Sequence, residues 1–302
     1  MSITLKELAR HAGVSSTAAS FVMNRKSSGH VTEEKASEIR ALARELGYRP
    51  NIQARSLRGC ARKLIGVVMV IPRDSSASLF SGLLQCKLRE LGYMSLFSFW
   101  NSYDDVAACY RVVLDHNVDG IIAWENPTPE LAGATPQVLY CTQDSERFDS
   151  VIIDNRSMIR EAVDLFVAAG RRRIAVLDSA SNPCHLECEQ YLQEKGLPPP
   201  LHWNSTPPEF IRNLPEHELP KETFPDAIFV HNDAQAEVMA RYIRKRGWRV
   251  PEDVMVIGCN NMVEMIPEKP LPTFDIRHEQ IVNTLIKLLF RRIKEPDAET
   301  VC

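Results

Sequence analysis

Two sets of side chains in this 302-residue chain have types and spacing suited to chemistry. The first lies near the N-terminus: Ser15, Ser16, Thr17, Ser20, Phe21 and Asn24, followed by Arg49, Arg55 and Arg58 around Pro50 and Leu57. Small polar groups can reach base edges or phosphates without blocking close approach, and guanidinium groups suit phosphates. The second set is spread along the body, where apolar runs end: Ser75 and Ser76, Trp124, Asp154, Asn232 and Asn260. Hydroxyls, amides and a carboxylate with one aromatic suit a small hydroxylated ligand. Two other constellations promise less. Cys184, His185 and Cys188 are ligand types, but their spacing is short for structural zinc and no second pair stands nearby, so no metal is expected. His231 near Asp233 is the best candidate for a base, but a plain loop histidine is the better reading of it. No Gly-rich phosphate loop follows Ile71, so neither enzyme activity nor a cofactor is expected.

The elements that must position the first set are helices. Thr4-Leu5-Lys6-Glu7 is a capping box, in which the Thr hydroxyl and the Glu carboxylate each satisfy a free amide. Leu5, Leu8, Ala9 and Ala12 recur at helical spacing, and Gly13 supplies the left-handed residue that ends the helix. Ser15 caps a second helix with Ala19, Val22 and Met23 inward and the polar set outward. Two helices joined by one tight turn form a helix-turn-helix, whose second helix lies in a major groove. Any small helical domain with a polar face is the alternative. A third helix, about Glu33 to Leu46, is capped by Thr32 and stopped by Gly47.

Charge divides the chain the same way. Residues 1–62 hold eleven Lys and Arg against five Glu, a net +6; with −3 for the whole chain, residues 63–302 carry −9. A basic end on an acidic body points to a polyanion partner for the first part alone. No apolar core follows the first Met and no apolar run is long enough to span a bilayer, so neither export nor a membrane is expected, and the eight Cys are read as reduced thiols.

The body alternates apolar runs with helical patterns, the mark of doubly wound parallel sheets. Strands are expected at Leu64–Ile71, Met94–Phe99, Val118–Trp124, Gln137–Cys141, Val151–Ile153, Ile174–Leu177, Ala227–Val230, Val254–Ile257 and Thr273–Ile276. Helices are expected from Leu79 to Leu91, about Asp104 to His116, Ile159 to Val167, Glu187 to Lys195, Ala234 to Arg246 and Gln280 to Lys294. Ligands bind such sheets at the carboxyl ends of the strands, where the second polar set falls. Trp124 is placed to stack on a sugar ring or to be a core aromatic, and Asp154 to contact ligand or to cap a helix.

The first 59 residues resemble the lactose-repressor (LacI/GalR) family of bacterial transcription regulators. The resemblance rests on Thr4-Leu5-Lys6-Glu7-Leu8-Ala9, Ala12-Gly13-Val14-Ser15, Ser20, Asn24, His30-Val31-Thr32, Leu46-Gly47-Tyr48-Arg49-Pro50-Asn51 and Ala54-Arg55-Ser56-Leu57. More loosely, Val118-Asp119-Gly120-Ile121-Ile122, Gly170 to Ala175, Asn232-Asp233 and Val256-Ile257-Gly258 stand where that family has similar runs. It implies an all-α helix-turn-helix headpiece with a hinge helix (1–62) and an α/β periplasmic-binding-protein-like domain of two doubly wound lobes for effector binding and dimerisation (63–302). It implies DNA contacts at Leu5, Lys6, Ser15, Ser16, Thr17, Ser20, Phe21, Asn24, His30, Asn51, Ala54, Arg55, Leu57 and Arg58. It implies a homodimeric repressor in the bacterial cytoplasm, at the nucleoid, on a near-palindromic double-stranded operator and under a sugar-like effector. Leu57 resembles the family's minor-groove wedge, paired with its copy in a second subunit; an apolar wedge unstacks and kinks a base step. A solute-binding module is the alternative, against which the basic headpiece argues. The chain also departs from the pattern. No Arg stands early in the helix after Asp178, and Asn260 is neutral where an acid is common, so a phosphorylated ligand must find positive charge elsewhere. Family members usually continue for another strand or two after the last helix, so either the second lobe lacks its final strand, which would leave a sheet edge unpaired, or the reading frame ends early.

Phe21 stands where many family members carry Arg. Arg reads guanine through two hydrogen bonds, whereas a phenyl ring contacts apolar groups such as a thymine methyl. Sites selected from random DNA should therefore show no invariant guanine dependent on Phe21. Recovery of such a guanine, lost with Phe21→Ala, would refute this.

Overall fold

The computed structural model describes residues 3–23, 31–48, 62–72, 75–141, 147–177, 184–202, 221–262 and 271–301, within two compact units, Met1–Arg62 and Lys63–Cys302. In the first unit, α1 (Leu5–His11), α2 (Ser16–Met23) and α3 (Glu33–Glu45) close on a small core of Leu8, Ala12, Val22, Ala36, Ile39 and Ala43. The capping box is complete: the Glu7 amide donates to the Thr4 hydroxyl, and the Thr4 amide donates to the Glu7 carboxylate at 2.7 Å. Ser15 accepts from the Ala18 amide and Thr32 from the Lys35 amide. Gly13 takes φ 65°, a turn that a side chain would strain.

The second unit holds two parallel five-stranded sheets. Lobe one has the order β2-β1-β3-β4-β5, from β1 (Leu64–Val70), β2 (Met94–Trp100), β3 (Gly120–Ala123), β4 (Gln137–Cys141) and β5 (Asp149–Ile152). Helices α4 (Ser75–Glu90) and α5 (Val106–Asp115) follow β1 and β2. Lobe two has the order β10-β9-β8-β6-β7, from β6 (Ile174–Leu177), β7 (Leu201–His202), β8 (Ala227–Val230), β9 (Met255–Cys259) and β10 (Thr273–Phe274). Its helices are α6 (Asn155–Ala168), α7 (Cys184–Glu194) and α8 (Asp233–Lys245). The last helix, α9 (His278–Lys294), leaves lobe two and packs Val282, Leu285 and Leu289 into the core of lobe one with Ile65, Val67 and Phe80. Among the described residues no helix is long and apolar enough to cross a membrane.

Several boundaries differ from the sequence expectation, each for a local reason. α4 begins at Ser75, four residues before the first periodic leucine, with Ala77 already buried. A 3-10 turn at Tyr103–Asp105, capped by Ser102, precedes α5. β5 starts at Asp149, because the buried Asp149 carboxylate takes a bidentate ion pair from Arg292 at 2.9 Å and belongs to the sheet. β7, which the sequence does not announce, is two residues long, too short for any periodicity, and pairs with Ala175 and Val176. β10 stops at Phe274, since Ile276 turns out of the sheet and packs against the cores of both lobes. The outer edge of β5 is met by the tail: the Ser150 amide donates to Val301 O, and the Val301 amide donates to Asp149, both at 2.8 Å.

Leu289 fits the space over Gly120, where an added Cβ would stand 2.9 Å from its methyl. Truncation of this fully buried side chain leaves a cavity between α9 and the sheet. Leu289→Ala should lower the stability of the 63–302 unit by roughly 2–5 kcal/mol in urea unfolding, with the headpiece signal unmoved.

Candidate functional site

The first candidate surface belongs to the headpiece. α2 carries no charged residue between Ser16 and Met23, and its buried side is Ala19 and Val22. Ser15, Ser16 and Thr17 are exposed, while Ser20 and Phe21 are half-buried. On α1, Lys6 is exposed and Leu5 half-buried. The α2 face is thus short, uncharged and mostly polar, bounded by a capped helix start. Asn24, His30, Asn51, Ala54, Arg55, Leu57 and Arg58 lie outside the described residues.

The second candidate site is the set of strand ends in the 63–302 unit. In lobe one, α4 opens with Ser75 and Ser76, and the Ser76 hydroxyl lies 2.7 Å from His278 Nε2. Trp124, just past β3, meets Phe80 and Tyr140 edge-on with ring centroids 5.3 and 5.2 Å away. Phe80 and Tyr140 stack on each other at 5.2 Å. The Trp124 indole N–H is buried and has no hydrogen-bond partner among the described residues. Trp124 is therefore part of an aromatic cluster rather than an isolated platform. Burial pushes the Tyr140 hydroxyl well above the ordinary phenol range, with the Cys259 thiol of lobe two adding to it. Burial also raises the Glu125 carboxyl, beside the Tyr110 hydroxyl that donates to Glu125 O at 2.7 Å.

In lobe two, Asn232 caps α8, its side-chain oxygen accepting from the Ala234 and Gln235 amides. Asp233 is buried; it accepts from the Met262 amide and the Thr273 hydroxyl, both at 2.6 Å. Burial raises its carboxyl despite these bonds and the nearby His278. Gly258 is required here, since a Cβ would collide with the Asp233 carboxylate. His231 Nε2 lies 3.5 Å from Asn155 Oδ1. Asn260 and Asn261 close β9 with φ 97° and 52°, backbone that asparagine tolerates better than most residues.

Of the six expected ligand positions, Ser76, Trp124 and Asn260 fall at strand ends or beside the crossover into α9. Ser75 starts α4, and Asn232 and Asp154 are occupied as helix caps. Sequence reasoning missed His278, Phe80 and Tyr140. His278 was lost because α9 was expected to begin at Gln280, and Phe80 because its spacing marks only a buried helix face. The Cys184 and Cys188 thiols are core groups; burial pushes Cys188 up to about 12. Among the described residues no cluster of three His, Cys, Asp or Glu could hold a metal.

Residues 4–51 match the family model described as bacterial regulatory proteins, lacI family, and residues 163–301 match the periplasmic binding protein-like domain. The catabolite repressor/activator of Escherichia coli (strain K12) is 26% identical over 323 aligned residues, covering 97% of this chain and 92% of that protein. The ribose operon repressor of the same strain is 26% identical over 317, covering 97% and 94%. Among solved structures, the Lac repressor dimer bound to operator and the anti-inducer ONPF has a TM-score of 0.80 at 22% identity, covering 100% of this chain and 96% of that one. The CelR–cellobiose complex has a TM-score of 0.67 at 22% identity, covering 99% and 95%.

The role of Asp154 can be measured directly. Its side chain accepts from the Ser157 amide at 2.9 Å, and hydrogen bonds from Ser157, the hydroxyl first and then the amide, hold its carboxyl below the usual range. A depressed folded pKa means that stability is present above the unfolded value, near 3.9, and is lost as pH falls through the folded one. Asp154→Ala should cost roughly 0.5–2 kcal/mol at pH 7 by loss of the cap. In thermal melts the gap to wild type should narrow as pH drops below about 4. A gap that does not change with pH would remove the cap assignment.

Proposed function

We propose that this chain, whose residues 4–51 match the lacI family model, is a sequence-specific DNA-binding transcriptional regulator of that family, a repressor, acting in the cytoplasm at the nucleoid. The observation that carries this is the headpiece: three capped helices that present an uncharged polar face on α2 from the basic end of the chain. In this reading residues 1–62 bind DNA and residues 63–302 bind effector and dimerise. α2 enters the major groove with Ser16, Thr17, Ser20 and Phe21, and Lys6 adds a phosphate contact. Asn51 to Arg58 form the hinge, with Leu57 between base steps.

One headpiece offers few base contacts, and a two-fold pair on a near-palindromic operator doubles them. The Lac repressor, similar in fold, binds operator as a dimer. Leu91, Met94 and Phe99 are exposed on lobe one, apolar surface of the kind that marks contact with another protein. A second copy of the chain covers it.

The effector is a sugar or related metabolite held between the strand ends of the two lobes, with Ser76, Trp124 and Asn260 at its edges. The aromatic cluster offers a face for an apolar sugar ring, and the carboxamide and hydroxyl groups offer hydrogen bonds. Similar proteins are named for ribose or were solved with cellobiose. Effector binding changes lobe closure and, through it, the stability of the hinge: a coupling between two sites.

The wedge is the sharpest test. Leu57→Ala should weaken operator binding by about tenfold or more, a loss of roughly 1.4 kcal/mol or above, because the kink is no longer held open. Binding to random-sequence DNA should change little. Equal losses on both, measured by filter retention, would sink the wedge role.

A further inference from the structure

The amino ends of β6, β8 and β9 lie side by side, since these strands are neighbours in one parallel sheet. The chain enters them through residues 171–173, 221–226 and 241–254. These three stretches hold nine Lys and Arg against four carboxylates, and Glu237 on α8 adds a fifth. The face is therefore +4, on a unit that carries −9, so the rest of residues 63–302 carries −13. Contacts tie the stretches into one continuous surface. Arg171 donates to Pro251 O at 2.7 Å and to Glu252 O at 2.9 Å. Arg173 donates to Phe224 O at 3.0 Å, and Lys221 pairs with Asp253 at 3.2 Å.

The charges on this face are layered. The side chains of Glu237, Asp226 and Asp253 are 7%, 14% and 17% exposed, and each is already paired. Glu237 takes Arg241 at 3.0 Å, and Asp253 takes Arg249 at 3.0 Å. Asp226 accepts from the Arg172 and Arg173 amides and pairs with the Arg173 guanidinium at 3.6 Å. The cations above them stand in solvent: Arg241 is 65% and Arg249 70% exposed. Two more exposed cations, Arg172 and Lys245, have no carboxylate partner among the described residues. The outermost charge is thus mostly positive, with Glu222 and Glu252 as exposed acids between.

A separate observation concerns Trp248, which stands half-buried among these cations. The Arg246 guanidinium lies 4.5 Å from its ring centroid, and Phe224 meets it at 4.9 Å, edge to face. Arg246 is braced further by donating to the Tyr242 hydroxyl at 3.2 Å. A planar guanidinium held in this way gives up little freedom when it pairs with a carboxylate. Trp, Tyr and Arg are also the side chains on which protein interfaces most depend. The same packing disfavours nucleic acid. Arg246 occupies a ring face on which a base would stack, and Glu222 and Glu252 would repel a phosphodiester chain.

We propose that this face docks the acidic surface of a second protein, whose Asp and Glu side chains pair with exposed cations, Arg172 and Lys245 among them, around Arg246 and Trp248. Complementary potentials of this kind set partner choice and association rate. The face lies at the amino ends of the lobe-two strands, the opposite end from the polar groups considered for an effector. It does not depend on whether the headpiece binds DNA.

The test is fluorescence anisotropy on the full chain with a labelled peptide of about twelve residues, half of them Glu or Asp and one Leu. Because the headpiece is basic too, charge is reversed in each place separately. Arg172→Glu with Lys245→Glu should weaken the peptide roughly fivefold or more and leave duplex DNA binding unchanged. Lys6→Glu with Arg10→Glu should do the reverse. Arg172→Gln with Lys245→Gln should give a smaller loss of the first kind, and thermal melts report that each variant is folded. A peptide with Lys in place of its acids should not bind. Loss of peptide only in the headpiece pair would overturn the proposal. So would no peptide binding at about 1 mM. A single-stranded DNA of equal charge that binds more tightly than the peptide, and is lost with Arg172 and Lys245, would overturn it in favour of nucleic acid.

Discussion

The return of α9 to lobe one is the constraint on which the 63–302 unit depends. The chain builds one sheet, crosses to build a second, then comes back to finish the core of the first. Val282, Leu285 and Leu289 are fully buried on that sheet, each contributing roughly 1.5–3 kcal/mol by burial. Without α9 the part of the sheet face that it covers, on β3, β4 and β5, would be bare. Lobe one is therefore completed only after the chain has built lobe two, and the crossovers are short. One runs through Ile153 and Asp154 into α6, and the other from Phe274 through Arg277 into α9. Ile276 touches both cores from inside the second crossover.

This connectivity explains why the polar groups gather where they do. Parallel strands all point their carboxyl ends one way, and both crossovers leave from those ends. Ser76, Trp124, His278, Asn260 and Asp233 are thus brought near the joint between lobes from places far apart in the chain. Most are already engaged: Ser76 with His278, Asp233 with Thr273 and Met262, Asn232 with the start of α8. A ligand that exchanges for some of these bonds changes the energy of the joint, which is what a regulator of this architecture requires.

Much of this was legible in the sequence, and the limits are physical. Caps and turns are local, so Thr4 with Glu7, Ser15, Thr32 and Gly13 could be read directly. Strands buried on both faces are continuous apolar runs, and β4, β6 and β8 have the expected bounds. What depends on distant partners was not legible. Phe80, Trp124 and Tyr140 come from three elements, and no period links them. Asp149 is a strand residue because Arg292, 143 positions later, neutralises it. His278 was read as loop because Arg277, an arginine in left-handed backbone, starts the helix without the usual cap. Asp154 and Asn232 have polar side chains that suit a ligand or a cap equally, and only coordinates separate the two.

The neutrality of α2 bears on how the protein chooses among sites. In the DNA complex proposed above, contacts from Ser16, Thr17, Ser20 and Phe21 displace no condensed cations, so the discriminating part of that interface is indifferent to ionic strength. Lysines and arginines elsewhere in residues 1–62 carry the part that varies with it, and they act on every sequence alike. Osmotic change in the cell would then raise or lower occupancy everywhere at once, while the ranking of one operator over another stayed fixed.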